Sequence, residues 1–432
     1  MKSLQSRNLL RIRWLIFFIM ALAYVSSFFH RVCPAVVALD IQESFGISAP
    51  MVGLLASAYF YGYAFIQFPG GLLSDSLGPR KTVSLFMLLA GLGSIILGLA
   101  PGLGEAVVGR LLVGVGAGMV FTPTMKMISE WFTIREFPLM NSILMIMGGV
   151  GALTAATPLA LITSGLGWRA AFEIMGVASF FLAILVWLVV RDRPQDMGLP
   201  SIAEIDPIYG TSVRPPRQIS LWAGARQVLS NKHFWPVAAW AFGSLGIFFG
   251  FGGLWAGPYL MHNYGMSRAE AGDILNMLAV GIIVGSPLMS FLSNRIFHSR
   301  KKVLILSASL LLVELVFMTF FPAGLSRTVL YPLILCFAIF SLTPAVISVT
   351  SIKELFPVEI TGTSIGTVNL FPFLGGAVMQ VAIGWLLDWY PLTQSGDYSP
   401  EAYSAMFKLL LLTALGTVLA TFLMKETFPE DR

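Results

Sequence analysis

The chain has 432 residues, of which 56% are hydrophobic and 11% charged, with a mean hydropathy of +0.80; this is too apolar to cover a water-soluble surface. The formal charge of +5 comes from Lys and Arg dispersed in short segments between apolar runs, a distribution that orients a chain in a lipid bilayer and argues against a nucleic-acid surface. Cys33 and Cys336 both fall inside apolar runs, so neither a disulfide framework nor a metal site is expected.

A crossing needs about 20 mainly apolar residues, so a chain of this length holds roughly a dozen. The apolar runs predict spans 1 to 12 at about 14–40, 50–74, 82–101, 106–132, 139–161, 170–190, 234–260, 269–293, 303–321, 328–351, 361–384 and 403–424. The first run begins near Trp14, outlasts any signal-peptide core and meets no A-x-A-like cleavage site, so it is expected to remain as span 1. Both termini then share one side. That side receives 20 of the 27 Lys and Arg residues, whereas the opposite loops carry mainly Gly102, Gly104, Glu105, Asp388, Asp397 and Glu401, with Arg268 and Arg327 as exceptions. The asymmetry predicts a multi-pass cell-membrane protein, of the bacterial inner membrane type, with both termini cytoplasmic.

Residues 191–232 form the longest polar stretch. Their RDRPQDMGLP opening is turn-rich, and SLWAGARQVLSNKHFW reads as a short interfacial amphipathic helix. The stretch separates an expected six-helix bundle over 1–190 from a second over 233–432.

Internal similarity supports two related halves. Phe45-Gly46-Ile47-Ser48 matches Tyr264-Gly265-Met266-Ser267 at an offset of 219, which also pairs Gly53 with Gly272 and Asp75 with Asn294. Glu130-Trp131-Phe132 pairs with Glu354-Leu355-Phe356 at an offset of 224. The expected fold is therefore an all-α membrane protein of twelve transmembrane helices in two six-helix pseudo-repeats. Such repeats place a substrate site near the bilayer midplane, at their interface.

The segment Gly71-Leu72-Leu73-Ser74-Asp75-Ser76-Leu77-Gly78-Pro79-Arg80-Lys81 resembles the signature between helices 2 and 3 of the major facilitator superfamily, with Ser76 and Pro79 replacing two usual Arg residues. Arg110-x-x-x-Gly114-x-x-x-Gly118 resembles a second signature. YFYGYAFIQFPGGLLSD, GWRAAF, RDRPQDMGLP and KELFPVEITGTSIGTVNLFPFLGGAVMQ resemble the organophosphate and organic-anion branch, often labelled sugar-phosphate permeases. The resemblance spans nearly the whole chain. It implies a monomeric secondary active transporter working by alternating access, with proton-coupled uptake favoured. An efflux antiporter and a non-transporting sensor on the same fold stay open, although Met147-Gly148-Gly149-Val150-Gly151-Ala152 has the glycines of the exporter signature without its proline.

In that superfamily the first signature is a conformational latch. Gly71, Asp75, Gly78, Arg80 and Lys81 are its members here, with Arg110 in the second signature. Asp75 at a helix end can attract Arg80, Lys81 or a neighbouring helix N-terminus, each contact being worth about 0.3–1 kcal/mol when exposed. Equally, the two cations could merely orient the chain. Glu130 with Arg135, and Lys353 with Glu354, read as ion pairs of the same end. Asn294 stands where the second copy would have its acid, which predicts unequal latches.

Arg31 is the sharpest substrate candidate, because a cation within a span costs about 2.5–3.5 kcal/mol on insertion scales. Tyr24, Ser27 and Arg31 share one helix face by their i, i+3 and i+4 spacing. A guanidinium fork can clamp a small anionic substrate, and the resembling transporters carry an anion-binding Arg at the matching place. A structural ion pair or a snorkelling side chain is the alternative. Lys126 also resembles a basic position of that branch, but 16 residues separate it from Arg110, a rotation of roughly 160° on an ideal helix. Only a bend at Pro123 would let both face one cavity. The offset partner of Arg31 is Gly250, and span 7 holds no Arg or Lys. A carboxylate, sugar acid or zwitterion therefore fits better than a dianionic phosphate.

Further lining candidates are Tyr59, Tyr63 and Gln67 in span 2, Trp255 and Tyr259 in span 7, and Asn369 and Gln380 in span 11. The last two lie within about 20° of one direction. Packing, an interfacial aromatic belt and interhelical hydrogen bonds are their structural alternatives. For proton coupling the candidates are His30 and Glu314, titratable groups inside spans; Glu173 reads as a helix-start charge. No nucleophile elbow, phosphate-binding glycine loop or metal-ligand cluster is present, so neither an enzyme nor a cofactor is expected.

Overall fold

In the computed structural model the described residues are 2–133, 136–202, 221–357, 360–394 and 396–428. Arg135 lies outside them, as do the side-chain positions at Gly71 and Asp75, so three of the latch expectations fall on residues left undescribed. The described chain is helical almost throughout; its β-pairing is an isolated bridge between Leu392 and Tyr398.

Eleven helical stretches are long and apolar enough to cross a membrane. One of them, Leu139–Val189, has 51 residues and would be about 76 Å long if straight, more than twice the hydrocarbon thickness. It turns back at Gly167, where φ is +84°, a left-handed conformation that glycine enters at little cost. Two crossings result, and the total is twelve. The reversal is pinned on both sides: Trp168 donates from Nε1 to Ser44 Oγ at 2.9 Å, and Arg169 Nη1 donates to the Ala100 carbonyl at 2.6 Å. The ends of spans 1, 3 and 5 therefore meet at the face opposite the termini, called here the far end.

Breaks inside the membrane interrupt the first and fourth spans of each half, and span 5 is interrupted as well, at Ala155–Ala156. Span 1 is Lys2–Val32 followed by Pro34–Phe45; span 4 is Leu103–Gly118 followed by Phe121–Trp131. Span 7 carries a π-helical stretch, Phe248–Trp255, between Phe234–Ile247 and Ala256–Tyr264, and span 10 is Arg327–Ser341 followed by Ala345–Leu355. Pro34 and Pro344 supply no N–H to the ladder at two of these breaks. The break of span 4 lies at Met119–Val120, ahead of the expected bend at Pro123.

Glycines let backbones touch where the halves join. A Cβ on Gly257 of span 7 would lie 1.7 Å from the Ala35 carbonyl of span 1. One on Gly53 of span 2 would meet the Gln380 carbonyl of span 11, and one on Gly384 that of Ala49, at 2.5 and 2.6 Å. Small residues at crossing points are how membrane helices gain packing without a hydrophobic driving force. Polar contacts reinforce this far-end seam. Arg268 pairs with Asp40, and Gln42 donates to the Tyr398 hydroxyl. Thr157 donates to Asp273 at 2.6 Å and accepts from Asn276 at 2.8 Å. The short helix Leu221–Leu229 lies within the expected interfacial segment.

Candidate functional site

A cavity of about 340 Å³ lies between the halves and extends from Arg31 toward the end bearing the termini. Spans 1, 2, 4 and 5 contribute Tyr24, Phe28, Arg31, Tyr63, Gln67, Phe121, Asn141 and Met145. Opposite them stand Phe249, Ser286, Thr343, Ser348, Thr350, Asn369 and Phe373.

Arg31 is the one charged side chain among the described lining residues. It is 6% exposed, and its Nε has no hydrogen-bond partner. No described carboxylate pairs with it. Instead its guanidinium carbon sits over four rings: Phe28 at 4.5 Å, Tyr63 at 4.9 Å, Phe373 at 5.3 Å and Phe249 at 5.9 Å. Ring quadrupoles hold a cation at about 0.5–2 kcal/mol each, and the Tyr59 and Tyr63 hydroxyls are its hydrogen-bonding neighbours. Two rings come from each half, and Tyr63 and Phe373 approach to 4.1 Å between centroids. Such a cation is positioned and partly desolvated, and its charge is not neutralised by any described carboxylate.

The other candidates divide by depth. Tyr24, Tyr63, Gln67 and Asn369 line the cavity with Arg31; Gln67 also donates to the Gly118 carbonyl at 3.2 Å. Ser27 and Tyr59 do not line it: Ser27 Oγ donates to the Ala117 carbonyl at 3.1 Å, and the Tyr59 hydroxyl donates to the Ser27 carbonyl at 3.2 Å while bonding to the Arg31 side chain from behind the lining. Trp255 donates from Nε1 to the Gln380 carbonyl at 3.0 Å, while Gln380 Nε2 donates to the Phe249 carbonyl at 3.1 Å. These two therefore belong to the far-end packing. Tyr259 is fully buried, against Phe251, Tyr403 and Phe407, with its hydroxyl 3.2 Å from that of Tyr264. Lys126 reaches the Ser74 carbonyl at 3.2 Å and does not line the cavity.

Neither titratable candidate opens on the cavity. His30 is fully buried, with both ring nitrogens unpartnered. Glu314 is 7% exposed in span 9, with both carboxyl oxygens unpartnered. Among the described residues no group of three or more His, Cys, Asp or Glu gathers to hold a metal.

At the terminus-bearing end the described ion pairs bring in partners from other segments; the expected Glu130 partner, Arg135, lies outside the described residues. Glu130 pairs with Arg193 at 3.8 Å. Glu354 takes Nε and Nη2 of Arg300 at 3.2 and 2.9 Å, and Arg300 Nη1 donates to Asn294 Oδ1 at 2.6 Å. Neighbouring helix residues diverge by about 100°, so Lys353 is poorly placed to serve Glu354. Gly78, at φ +82°, leaves room for the Asp192 carboxylate, which accepts the Arg80 backbone N–H at 2.7 Å. The Arg80 side chain donates to the Trp187 carbonyl at 2.8 Å and covers that ring at 4.7 Å. Arg110 departs from the latch altogether. It starts from the far-end half of span 4, is 2% exposed, stands 5.1 Å over Tyr59 and donates to Cys33 Sγ at 3.9 Å.

Lining residues beyond the sequence candidates include Phe28, Phe249 and Phe373 around Arg31, and the polar Asn141, Ser286, Thr343, Ser348 and Thr350. Phe28 was accessible as the i−3 neighbour of Arg31; the hydroxyl residues carry no local signal that distinguishes them from ordinary mid-span Ser and Thr.

A sequence model described as the Major Facilitator Superfamily matches residues 16–257 and 254–432. The probable sulfoacetate transporter of Cupriavidus necator is 25% identical over 435 residues, covering 98% of this chain and 97% of that protein. The glycerol-3-phosphate transporter of Bacillus subtilis is 26% identical over 88% of this chain and 87% of its own length. The probable galactarate/D-glucarate transporter of the same organism is 24% identical over 87% and 86%. In structure, the inward-facing, unoccupied bacterial homologue of the human lysosomal transporter Spinster matches with a TM-score of 0.72 at 18% identity, covering 95% of this chain and 96% of that one.

Proposed function

The chain belongs to the Major Facilitator Superfamily of membrane transporters, and on that premise we propose that it carries a small organic anion, a carboxylate, sugar acid or zwitterion, by alternating access. The observation that carries this reading is Arg31: the one charged side chain of the described cavity lining, buried, held by rings and unmatched by a carboxylate. A guanidinium so placed receives one anionic group of the substrate through charge-assisted hydrogen bonds. Asn141, Ser286, Thr343, Ser348, Thr350 and Asn369 offer hydroxyl and amide groups to the rest of it, which suits polyhydroxy acids.

The far-end seam and the cavity's extension toward the termini support a state closed at one face. Residues 1–190 and 233–432 rock against each other about Arg31 and its rings, with 191–232 as their linker. Both termini are cytoplasmic, in keeping with the distribution of Lys and Arg, and uptake is driven by protons through His30, Glu314 or both. The protein works as a monomer.

The test is uptake of radiolabelled acids into proteoliposomes holding the purified full chain. Saturable uptake of a carboxylate, sulfonate or sugar acid, inhibited by other anions and indifferent to neutral sugars, is expected. Equal transport of neutral sugars would overturn the assignment.

A further inference from the structure

A second cavity, of about 740 Å³, faces outward from spans 2, 11 and 12 and is separate from the central one. Its wall includes Leu54 and Tyr61 from the first half, and Trp385, Trp389, Lys408 and Leu412 from the second. Tyr61, Trp385, Trp389 and Leu412 are 42, 59, 72 and 68% exposed. On a helix surface at membrane depth such exposure is to lipid.

Lys408 is the anomaly. It lies eight residues past Pro400, about 12 Å into span 12 from the far end, and it is followed by four leucines. It faces outward, and no described acidic side chain pairs with it. An unpaired lysine within a span is costly unless its charge is met or led to the interface. Here the charge stands in a groove whose outer edge is two tryptophans with ring centroids 6.1 Å apart, the residue type that settles at headgroup level.

We propose that this groove binds an anionic phospholipid at the far end, with its phosphate on Lys408 and its headgroup region beside Trp385 and Trp389. The acyl chains lie along Leu412 and Leu54. A free phosphate would use the lysine but none of the exposed apolar wall, whereas a lipid uses both. The groove also straddles the seam, because spans 2 and 11 touch through Gly53 and Gly384. Separating these spans at the far end would dismantle it. A ligand bound to only one of two states favours that state, so the lipid holds the far end shut.

The test uses the purified full chain in nanodiscs of phosphatidylcholine, with or without phosphatidylglycerol. Native mass spectrometry is expected to show phosphatidylglycerol retained by the wild type and by Lys408→Arg, and at least fivefold less by Lys408→Gln. Equal retention by Lys408→Gln, equal retention of phosphatidylcholine by the wild type, or displacement by free glycerol phosphate would each overturn the lipid site. For the seam, Ala49→Cys is made with Cys33 and Cys336 changed to Ala, since Ala49 is fully buried against Gly384. Its reaction with a water-soluble maleimide should slow severalfold with phosphatidylglycerol; an unchanged rate despite retained lipid would overturn the locking role.

Discussion

Arg31 of the first span holds its guanidinium carbon 5.3 Å from the ring of Phe373 in the eleventh, so the cation that marks the cavity is also a contact between the two halves. A substrate anion that engages Arg31 therefore acts on both the site and the seam. Removing the ring while keeping the bulk, Phe373→Leu, should leave the protein folded and raise the KM for uptake about two- to thirtyfold, the range of one cation–π contact. Steady-state uptake in proteoliposomes measures it, and an unchanged KM would leave the ring as packing alone.

The far-end seam gives a second prediction. Asp40 and Arg268 pair across the halves, each about one-fifth exposed, so the contact is worth about 1 kcal/mol, a fivefold shift in population. Asp40→Asn should raise hydrogen exchange of the backbone at 34–45 and 256–268, with little change in span 9. Exchange that rises everywhere would indicate unfolding rather than opening.

Glu136 ties the start of span 5 to Arg13, with both Arg13 Nη atoms donating at 2.9 Å and the Thr133 backbone N–H at 3.0 Å. Partial burial alone would raise its carboxyl, but the Thr133 and Arg13 hydrogen bonds outweigh this and hold it below the ordinary glutamate range. Because the folded value is depressed, the stabilisation is complete above the unfolded value, about 4.3, and is lost as pH falls through the folded one. Glu136→Gln should cost about 1–3 kcal/mol at pH 7. The gap in detergent melting temperature between wild type and variant should close toward pH 3.

Proton coupling has its two candidate groups away from the cavity, in His30 and Glu314. An inwardly directed proton gradient should increase substrate accumulation, and His30→Gln or Glu314→Gln should abolish that increase while substrate exchange continues. Accumulation indifferent to the gradient would remove protons from the mechanism.

The twelve crossings and Arg31 were legible in the sequence because both rest on local costs, apolar length and a charge in a span. Depth and partnership were not. Asn369 and Gln380 share an azimuth, yet 11 residues put them about 16 Å apart along the helix; the first lines the cavity and the second donates to the Phe249 carbonyl at the seam. Lys126 reaches the Ser74 carbonyl, and Glu354 takes Arg300, a partner 54 residues away in the chain. Thr350 lines the cavity while its hydroxyl donates to Val346 one turn back, at 2.8 Å, so it looks like any self-satisfied mid-span threonine.

The most direct measurement of the central proposal is saturable anion uptake by Arg31→Gln beside wild type in proteoliposomes, with matched protein content and melting temperature. Arg31→Gln should lose saturable uptake, and Arg31→Lys should retain part of it with a raised KM. Wild-type uptake by Arg31→Gln would contradict the anion clamp.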